Sequence, residues 1–468
     1  MPTPLATTAP GADRAAAAPR PHRPRTGAAL GAALLGFFVI TLDALVVNVA
    51  LPSIRDSLGG GITGLQWVVD GYTLMFAAFL LSAGSLTDRL GARRTFGAGL
   101  LLFVAASAVC GLAPNLGLLI GARLVQGAGA AVIVPSSLAL IREAFPDARK
   151  RAKAISVWAL GGSAGSAAGP VAGGLLSQVD WRLIFFVNVP VGLIALALLL
   201  RTEHSPRAAK APFDWTGQLS AVIAMGALTY AAIEAGGEGF TDPQVIFALL
   251  LAVAAAVVFA LAQARSRHPM VGTALLRDRT MVLASAIGFA LNVGFYGMIF
   301  LLSLYLQQAK EMSALATGLA FVPMTLLTAT VSPTAAWFAS RFGSRMPVIT
   351  GQVAMAAGLV LLALVPASAP VWLLVAAMIP VGAGGSLAVP ALTSLLLDHV
   401  APARAGTATG VLNTSRQVGG ALAVAIFGAL IANPGHLSTG LDTSLCIAAA
   451  AVLLTTAASF LLRPVART

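Results

Sequence analysis

Charge is scarce in this sequence. Asp, Glu, Lys and Arg make up 10% of its 468 residues, against about 25% in soluble domains, which excludes a water-soluble globular fold. Cysteine is almost missing: Cys110 and Cys446 lie far apart in apolar segments, so neither a disulfide nor a thiolate metal site is expected. The five histidines (His22, His204, His268, His399 and His436) fall in tails or loops without metal-ligand spacing. The four lysines (Lys150, Lys153, Lys210 and Lys310) never complete a Gly-x-x-x-x-Gly-Lys-Ser/Thr phosphate loop, which excludes ATP hydrolysis of that kind. No enzyme constellation, no metal and no cofactor is expected.

What the chain has in abundance is apolar length. It is 58% hydrophobic with a mean hydropathy of +0.88, and a membrane span needs about 20 apolar residues. Fourteen segments qualify, at about 27–52, 65–86, 95–113, 115–140, 152–178, 183–201, 216–235, 244–264, 281–308, 314–339, 346–366, 371–397, 404–432 and 440–463. The net charge of +12 could suggest a nucleic-acid partner, but its placement argues otherwise. With the N-terminus inside, cytoplasmic segments hold 24 of the 29 Lys and Arg, including Arg89, Arg93, Arg94 and the cluster Arg149, Lys150, Arg151 and Lys153. External loops hold Arg55, Arg182 and Lys310, and only Arg123 and Arg416 lie within spans. This positive-inside asymmetry puts both termini in the cytoplasm and makes the lipid bilayer, not nucleic acid, the partner. Residues 1–26, rich in Ala, Pro and Arg, read as a disordered tail and not as a signal peptide. Arg outnumbers Lys 25 to 4 beside abundant Ala and Gly, a composition that fits a GC-rich bacterial genome.

The sequence repeats itself. Gly127-Ala-Gly129 through Pro135 in the fourth segment recurs as Gly382-Ala-Gly384 through Pro390 in the twelfth, an offset of 255. Asp88-Arg-Leu-Gly91-Ala-Arg93 recurs as Ser340-Arg-Phe-Gly343-Ser-Arg345, an offset of 252. Two matches at nearly one offset imply two six-span halves, 27–201 and 281–468, separated by a linker at 202–280 that holds two extra spans. Duplicated halves place a ligand site at their interface near the midplane.

Several residues could carry chemistry there. Asp43 lies eight residues before Leu51, about 12 Å inside the first span at 1.5 Å per residue. A carboxylate at that depth faces a pathway or a partner, and desolvation suits such a group to proton exchange. A structural ion pair with Arg123 is the other reading, and both stay open. Asp70, beside Trp67 and Tyr72, is either functional or solvated near an interfacial anchor. Arg123 cannot lose its charge, so it must pair or line water. Gly161, Gly165, Gly169 and Gly173 recur every four residues around Pro170, a ridge for close helix approach. Asn292, Tyr296, Ser303 and Gln307 share one helical stripe, and Asn413, Arg416, Gln417 and Gly420 another, so both faces are expected to look inward. Glu234, Glu238 and Asp242 fall at the external turn between the extra spans, where solvation is expected.

At this point the motifs line up with one family. The loop Gly84-Ser-Leu-Thr-Asp88-Arg89-Leu-Gly91-Ala-Arg93-Arg94 resembles the signature loop of the major facilitator superfamily. Leu42-Asp43 through Pro52, Trp67-Val-Val-Asp70-Gly-Tyr72, Arg123 through Gly129, Gly165 through Gly174, Asp180 through Gly192 and Asn413 through Gly420 are similar to elements of its fourteen-span drug:proton antiporters, the EmrB/QacA type. The resemblance implies an all-α major facilitator fold, two six-helix bundles plus two inserted spans, that exports a small organic compound in exchange for protons from a bacterial plasma membrane. It further implies that Asp43 and Arg123 serve proton and substrate binding and that Gly84, Asp88, Arg89, Gly91 and Arg93 balance the conformational states. Gly165, Gly169, Pro170, Gly173 and Gly174 would mark an exporter, and function as a monomer is expected. Two departures stand out: Leu45 replaces a frequent Thr, and Ser340 replaces the acid in the second loop copy. A dedicated exporter of one natural product, or an importer, are the alternatives.

Overall fold

A computed structural model describes residues 26–202, 205, 214–266, 269–400, 404–432 and 437–462. Residues 1–25 of the expected tail, most of the linker before Asp214 and the last six residues lie outside these, as do His22, His204, His268, His436 and the side chain of Ser340. All regular structure among the described residues is helical. The helices are α1 (Thr26–Leu58), α2 (Gly61–Leu90), α3 (Ala92–Gly111), α4 (Leu116–Ala144), α5 (Ala148–Val179), α6 (Leu183–Phe186), α7 (Asn188–Leu200), α8 (Trp215–Glu238) and α9 (Pro243–Arg265). They continue as α10 (Thr273–Leu276), α11 (Arg279–Gln308), α12 (Ala314–Ala320), α13 (Val322–Phe342), α14 (Arg345–Leu364), α15 (Val371–His399), α16 (Ala405–Leu430) and α17 (Leu437–Ser459).

Eleven helical runs are long and apolar enough to cross a membrane, counting α6 and α7 together. The other three expected spans fall on α5, on α12 with α13, and on α16, which are of comparable length but diluted by Gly, Thr and charged residues. Four of the 17 acids serve helix starts. Asp147, Asp214, Asp242 and Asp278 cap α5, α8, α9 and α11, each accepting a backbone N–H of the first turn. Asp242 is therefore a cap rather than simply a solvated loop acid.

Two expected boundaries move. The first span does not stop at Pro52: α1 runs on to Leu58 with the proline inside it. Proline has no N–H to give the carbonyl four residues back, and that carbonyl, of Asn48, accepts instead from the Ser303 hydroxyl of α11 at 2.6 Å. The basic joint at 84–94 is also not a loop. Helix α2 continues to Leu90 and α3 begins at Ala92, leaving Gly91 alone to turn the chain at φ 85°, a conformation L side chains rarely adopt. Gly343 makes the same turn at φ 84° between α13 and α14. The arginine two residues on repeats as well. Arg93 donates to the carbonyls of Leu199 and Leu200 at the end of α7, and Arg345 to that of Phe460 just past α17. Cations there meet the negative end of a helix.

Packing follows the glycines. Gly161, Gly165, Gly169 and Gly173 of α5 ride over the carbonyls of Leu34, Phe38, Leu42 and Val46 of α1, a matched four-residue register. Gly129 of α4 meets Gly99 and Phe103 of α3, and Gly384 of α15 meets Gly351 and Met355 of α14 in the same way. Helices α11 to α17 form a second packed group, joined to the first where α2 lies on α16 and α5 on α12. The inserted α8 lies against both α2 and α16, and Gln218 of α8 donates to the Ala78 carbonyl at 3.0 Å.

A side chain at Gly165 would strike the Phe38 carbonyl and the Thr41 hydroxyl, whereas one at Gly84 meets nothing within 4 Å. Gly165→Leu should therefore lower stability by about 2 kcal/mol or more, as overpacking does, while Gly84→Ala should leave it unchanged or raise it by up to about 1 kcal/mol. Thermal unfolding of the two purified variants in detergent checks this; equal effects would contradict the packing described.

Candidate functional site

The site begins with a break. Pro190 cannot donate to the Phe186 carbonyl and its ring crowds it, so the helical run parts at Val187 into α6 and α7. Asn188 thereby becomes the first residue of α7 and points its amide into the first helix group. There it meets Asp43, mid-way along α1, and Ser107 of α3. Helix α4 supplies Arg123 and, one turn on, Gln126. Helix α2 contributes Tyr72 and the Val68 carbonyl.

These groups close into one buried network. Arg123 Nη1 donates to Asp43 Oδ2 at 2.6 Å, with the two side chains 1% and 0% exposed. Asp43 Oδ1 accepts from Gln126 Nε2 at 3.0 Å and from Asn188 Nδ2 at 2.7 Å. The guanidinium also donates from Nη1 to Gln126 Oε1 at 2.8 Å and from Nε to the Val68 carbonyl at 3.0 Å, and it lies 4.3 Å from the Tyr72 ring centre. Asn188 Nδ2 donates its other hydrogen to Ser107 Oγ at 3.0 Å, and Ser107 donates to the Phe185 carbonyl at 2.9 Å. Charge-assisted bonds of this length are the strong ones. Of the two readings of Asp43, the ion pair with Arg123 is present.

Asp70 is the opposite case. It is not solvated: its exposure is 0%, and among the described residues neither carboxyl oxygen has a hydrogen-bond partner. Nor is Tyr72 an interfacial anchor, since it is buried beneath Arg123. Asp70 follows Gln66 by one turn on α2, and Gln66 donates to the carbonyls of Val424 and Ala425 of α16. Ala77, two turns beyond Asp70, accepts from Thr414 of α16. The stripe 66–70–77 therefore places Asp70 at the seam between the two helix groups.

A second polar cluster lies between α11 and α16. Arg416 donates to Asn292 Oδ1 at 3.3 Å and to Asn413 Oδ1 at 3.1 Å, Asn292 donates to Gln417 at 3.3 Å, and the Tyr296 ring covers Gly420. Among the described residues Arg416 has no carboxylate partner. Toward the Leu58 end of α1, Ser303 and Gln307 bind the Asn48 and Val49 carbonyls across the seam. Gly318 of α12 sits on the Pro170 carbonyl and Gly174 on Ala314. The corner bearing Gly84, Asp88, Arg89, Gly91 and Arg93 is separate from the Asp43 network, at the opposite end of α2, and Asp88 is exposed there.

Sequence reasoning missed Gln126, Ser107 and Asn188. Gln126 was legible as one turn from Arg123; Asn188 only as an amide between apolar runs, ahead of a proline.

Comparison with known proteins decides the family. The profile of the Major Facilitator Superfamily matches residues 33–424. The chain belongs to that superfamily. It is 38% identical over 400 residues to the multidrug resistance protein Stp of Mycobacterium tuberculosis, covering 85% of this chain and 74% of the relative. It is 34% identical to the methylenomycin A resistance protein of Streptomyces coelicolor (92% and 90% covered) and 38% identical to the puromycin resistance protein pur8 of Streptomyces alboniger (86% and 81%). Two solved structures share the fold at a TM-score of 0.68: a peptide transporter POT, 16% identical, with 94% of this chain and 95% of that one covered, and a D-xylose-proton symporter, 14% identical, with 94% and 98% covered. This member of the superfamily is a multi-pass protein of the bacterial cell membrane, in a family whose members carry small molecules.

The two buried acids predict opposite responses to neutralisation. Asp43→Asn strands Arg123 without its counter-charge and should cost about 3–5 kcal/mol, as breaking a buried pair does. Asp70→Asn removes a carboxyl with no partner and should cost less than about 1 kcal/mol. Thermal unfolding of both variants measures the difference; a larger loss for Asp70→Asn would overturn the description.

Proposed function

We propose that this protein is a fourteen-span antiporter that expels organic drugs from the cell in exchange for protons. The observation carrying the proposal is the Asp43–Arg123 pair, a titratable acid held against a fixed cation in the middle of a membrane helix. The names of three similar proteins suggest the cargo: multidrug, methylenomycin A and puromycin resistance. In this reading α5, α12 with α13, and α16 are spans despite their polar residues, because those residues face other helices rather than lipid. Residues 27–201 and 281–468 form two six-helix bundles, the 202–280 segment adds two spans, both termini are cytoplasmic, and the protein acts as a monomer.

With that orientation, the bonds from Ser303, Gln307 and Gln66 across the seam lie toward the external side. The state described is closed outward. Protonation of Asp43 discharges its pair with Arg123 and frees the α1–α4 contact to rearrange, which shifts the population between outward- and inward-facing states. Asp70, buried at the seam with no hydrogen-bond partner among the described residues, is the second proton or substrate site. Asn292, Tyr296, Asn413, Arg416 and Gln417 line the opposite wall for the organic substrate. Each charge moved through 100 mV releases about 2.3 kcal/mol, enough to drive export against a gradient.

Transport into inside-out vesicles under an imposed pH gradient, with puromycin as the probe, tests this. The parent protein should concentrate puromycin when the lumen is acidic and stop when the gradient is collapsed. Asp43→Asn should abolish gradient-driven uptake, by about 100-fold or more, while remaining in the membrane fraction. Full activity in that variant would remove Asp43 from the mechanism.

A further inference from the structure

The Asp43 network contains one group left over. Asn188 Oδ1 is buried and, among the described residues, has no hydrogen-bond partner. Yet the other end of the same amide is fully used, with Nδ2 giving one hydrogen to Asp43 Oδ1 at 2.7 Å and one to Ser107 Oγ at 3.0 Å. A buried amide oxygen without a donor is an expense that native structures rarely carry without cause. The arrangement is ideal for a carboxylate and poor for a carboxylic acid. Ionised Asp43 accepts three bonds, one on Oδ2 from Arg123 and two on Oδ1 from Gln126 and Asn188, so both lone pairs of Oδ1 are taken while the amide stands as it does.

We propose that the Asn188 side-chain amide is a positioning device that turns over by 180° when Asp43 takes up a proton. Resting on the reading that Asp43 titrates, this assigns a role to a residue outside the acid–arginine pair. Turning the amide exchanges Oδ1 and Nδ2. The oxygen then stands where Nδ2 stood, within reach of both Asp43 Oδ1 and Ser107 Oγ. The new Asp43 O–H donates to it, and the Ser107 hydroxyl swings from the Phe185 carbonyl to donate to it as well. The hydrogen bonds between Asp43, Asn188 and Ser107 thus reverse direction together. The incoming proton stays on Asp43 Oδ1, Asn188 keeps both amide hydrogens and Ser107 its own, while Nδ2 gives up its two bonds on moving to the place of Oδ1 and the Phe185 carbonyl gives up the Ser107 hydroxyl.

The surroundings allow this and offer no competing acceptor. The charged or titratable groups facing Asp43 are Arg123 of α4 and Tyr72 of α2, with Cys110 of α3 behind Gln126. Helix α5 presents to α1 the glycine ridge 161–173, and α11 presents Ser303 and Gln307, none of them charged. Gln126 cannot play the same part, because its oxygen already accepts from Arg123 at 2.8 Å and from the Cys110 thiol at 3.7 Å. Asn188 stands at the break between α6 and α7, beside the Phe185 carbonyl that Ser107 releases. The protonation state of α1 is therefore relayed to the one interrupted helix of its own group.

Infrared difference spectroscopy of the full-length protein in lipid vesicles, stepped in pH and prepared with carbonyl-labelled asparagine, reads both partners. The expected result is a carboxyl signal from Asp43, absent in Asp43→Asn, accompanied by an asparagine side-chain signal with the same midpoint that disappears in Asn188→Leu. Asn188→Leu should also raise the proton affinity of Asp43 about tenfold, because it deletes a charge-assisted donor to the anion. A static Asn188 shifts the midpoint in the same way on removal but gives no asparagine signal that follows Asp43, so the asparagine signal decides. Should Asn188→Leu not fold, Ser107→Ala replaces it: the asparagine signal must then shift, because its second partner is gone. A titrating Asp43 with no asparagine signal, or with one unaltered by these variants, overturns the switch and leaves the Asp43 reading standing. Absence of any Asp43 signal overturns both.

Discussion

A single ion pair in hydrocarbon governs the rest of the arrangement. Two charges at the centre of a bilayer-spanning bundle survive only if each meets its opposite at close range and every remaining hydrogen-bonding group nearby is occupied. Arg123 and Asp43 meet at 2.6 Å, and their neighbours follow from that requirement. Gln126 binds both partners at once, Val68 lends a backbone carbonyl, Tyr72 covers the guanidinium, and Asn188 serves the far carboxyl oxygen. Four helices besides α1 are pinned to one point. Movement of any of them is felt at the carboxyl group, which is what coupling of charge to conformation requires.

Close packing and polar bonding divide the labour along the helices. Where α1 meets α5, four glycines bring backbones together without any side-chain chemistry. Where the two helix groups meet, bonds run from side chains to helix carbonyls, notably Ser303 to the Asn48 carbonyl that Pro52 leaves unserved. Such bonds are replaceable by water when a seam opens, whereas the glycine contacts are not. In the proposed mechanism, rocking between states would open the seam while each helix group stays intact.

Much of this was legible in the chain. Segment lengths, the offset repeat, and the glycine register are patterns of near neighbours, and Gly91 and Gly343 turn the chain alike, as the repeated loop suggested. The stripes on α11 and α16 do face each other, through Asn292, Gln417 and Arg416. The reading of 84–94 as a loop failed because charged residues at a membrane surface look the same whether coiled or helical. The reading of Asp70 as solvated failed because nearness to a span's end says nothing about what another helix lays over it.

Hydropathy and periodicity act over a turn or two, so the chain alone was enough to read a membrane protein of many helices and the positions of its few acids along them. Tertiary structure decided which acid is paired and which is alone. Asp43 finds Arg123 at 80 residues' separation and Asn188 at 145, while Asp70, only 27 residues beyond Asp43, finds no hydrogen-bond partner among the described residues. Partners so distant in the chain are chosen by how helices cross, and in a medium without water that choice settles the fate of every charge.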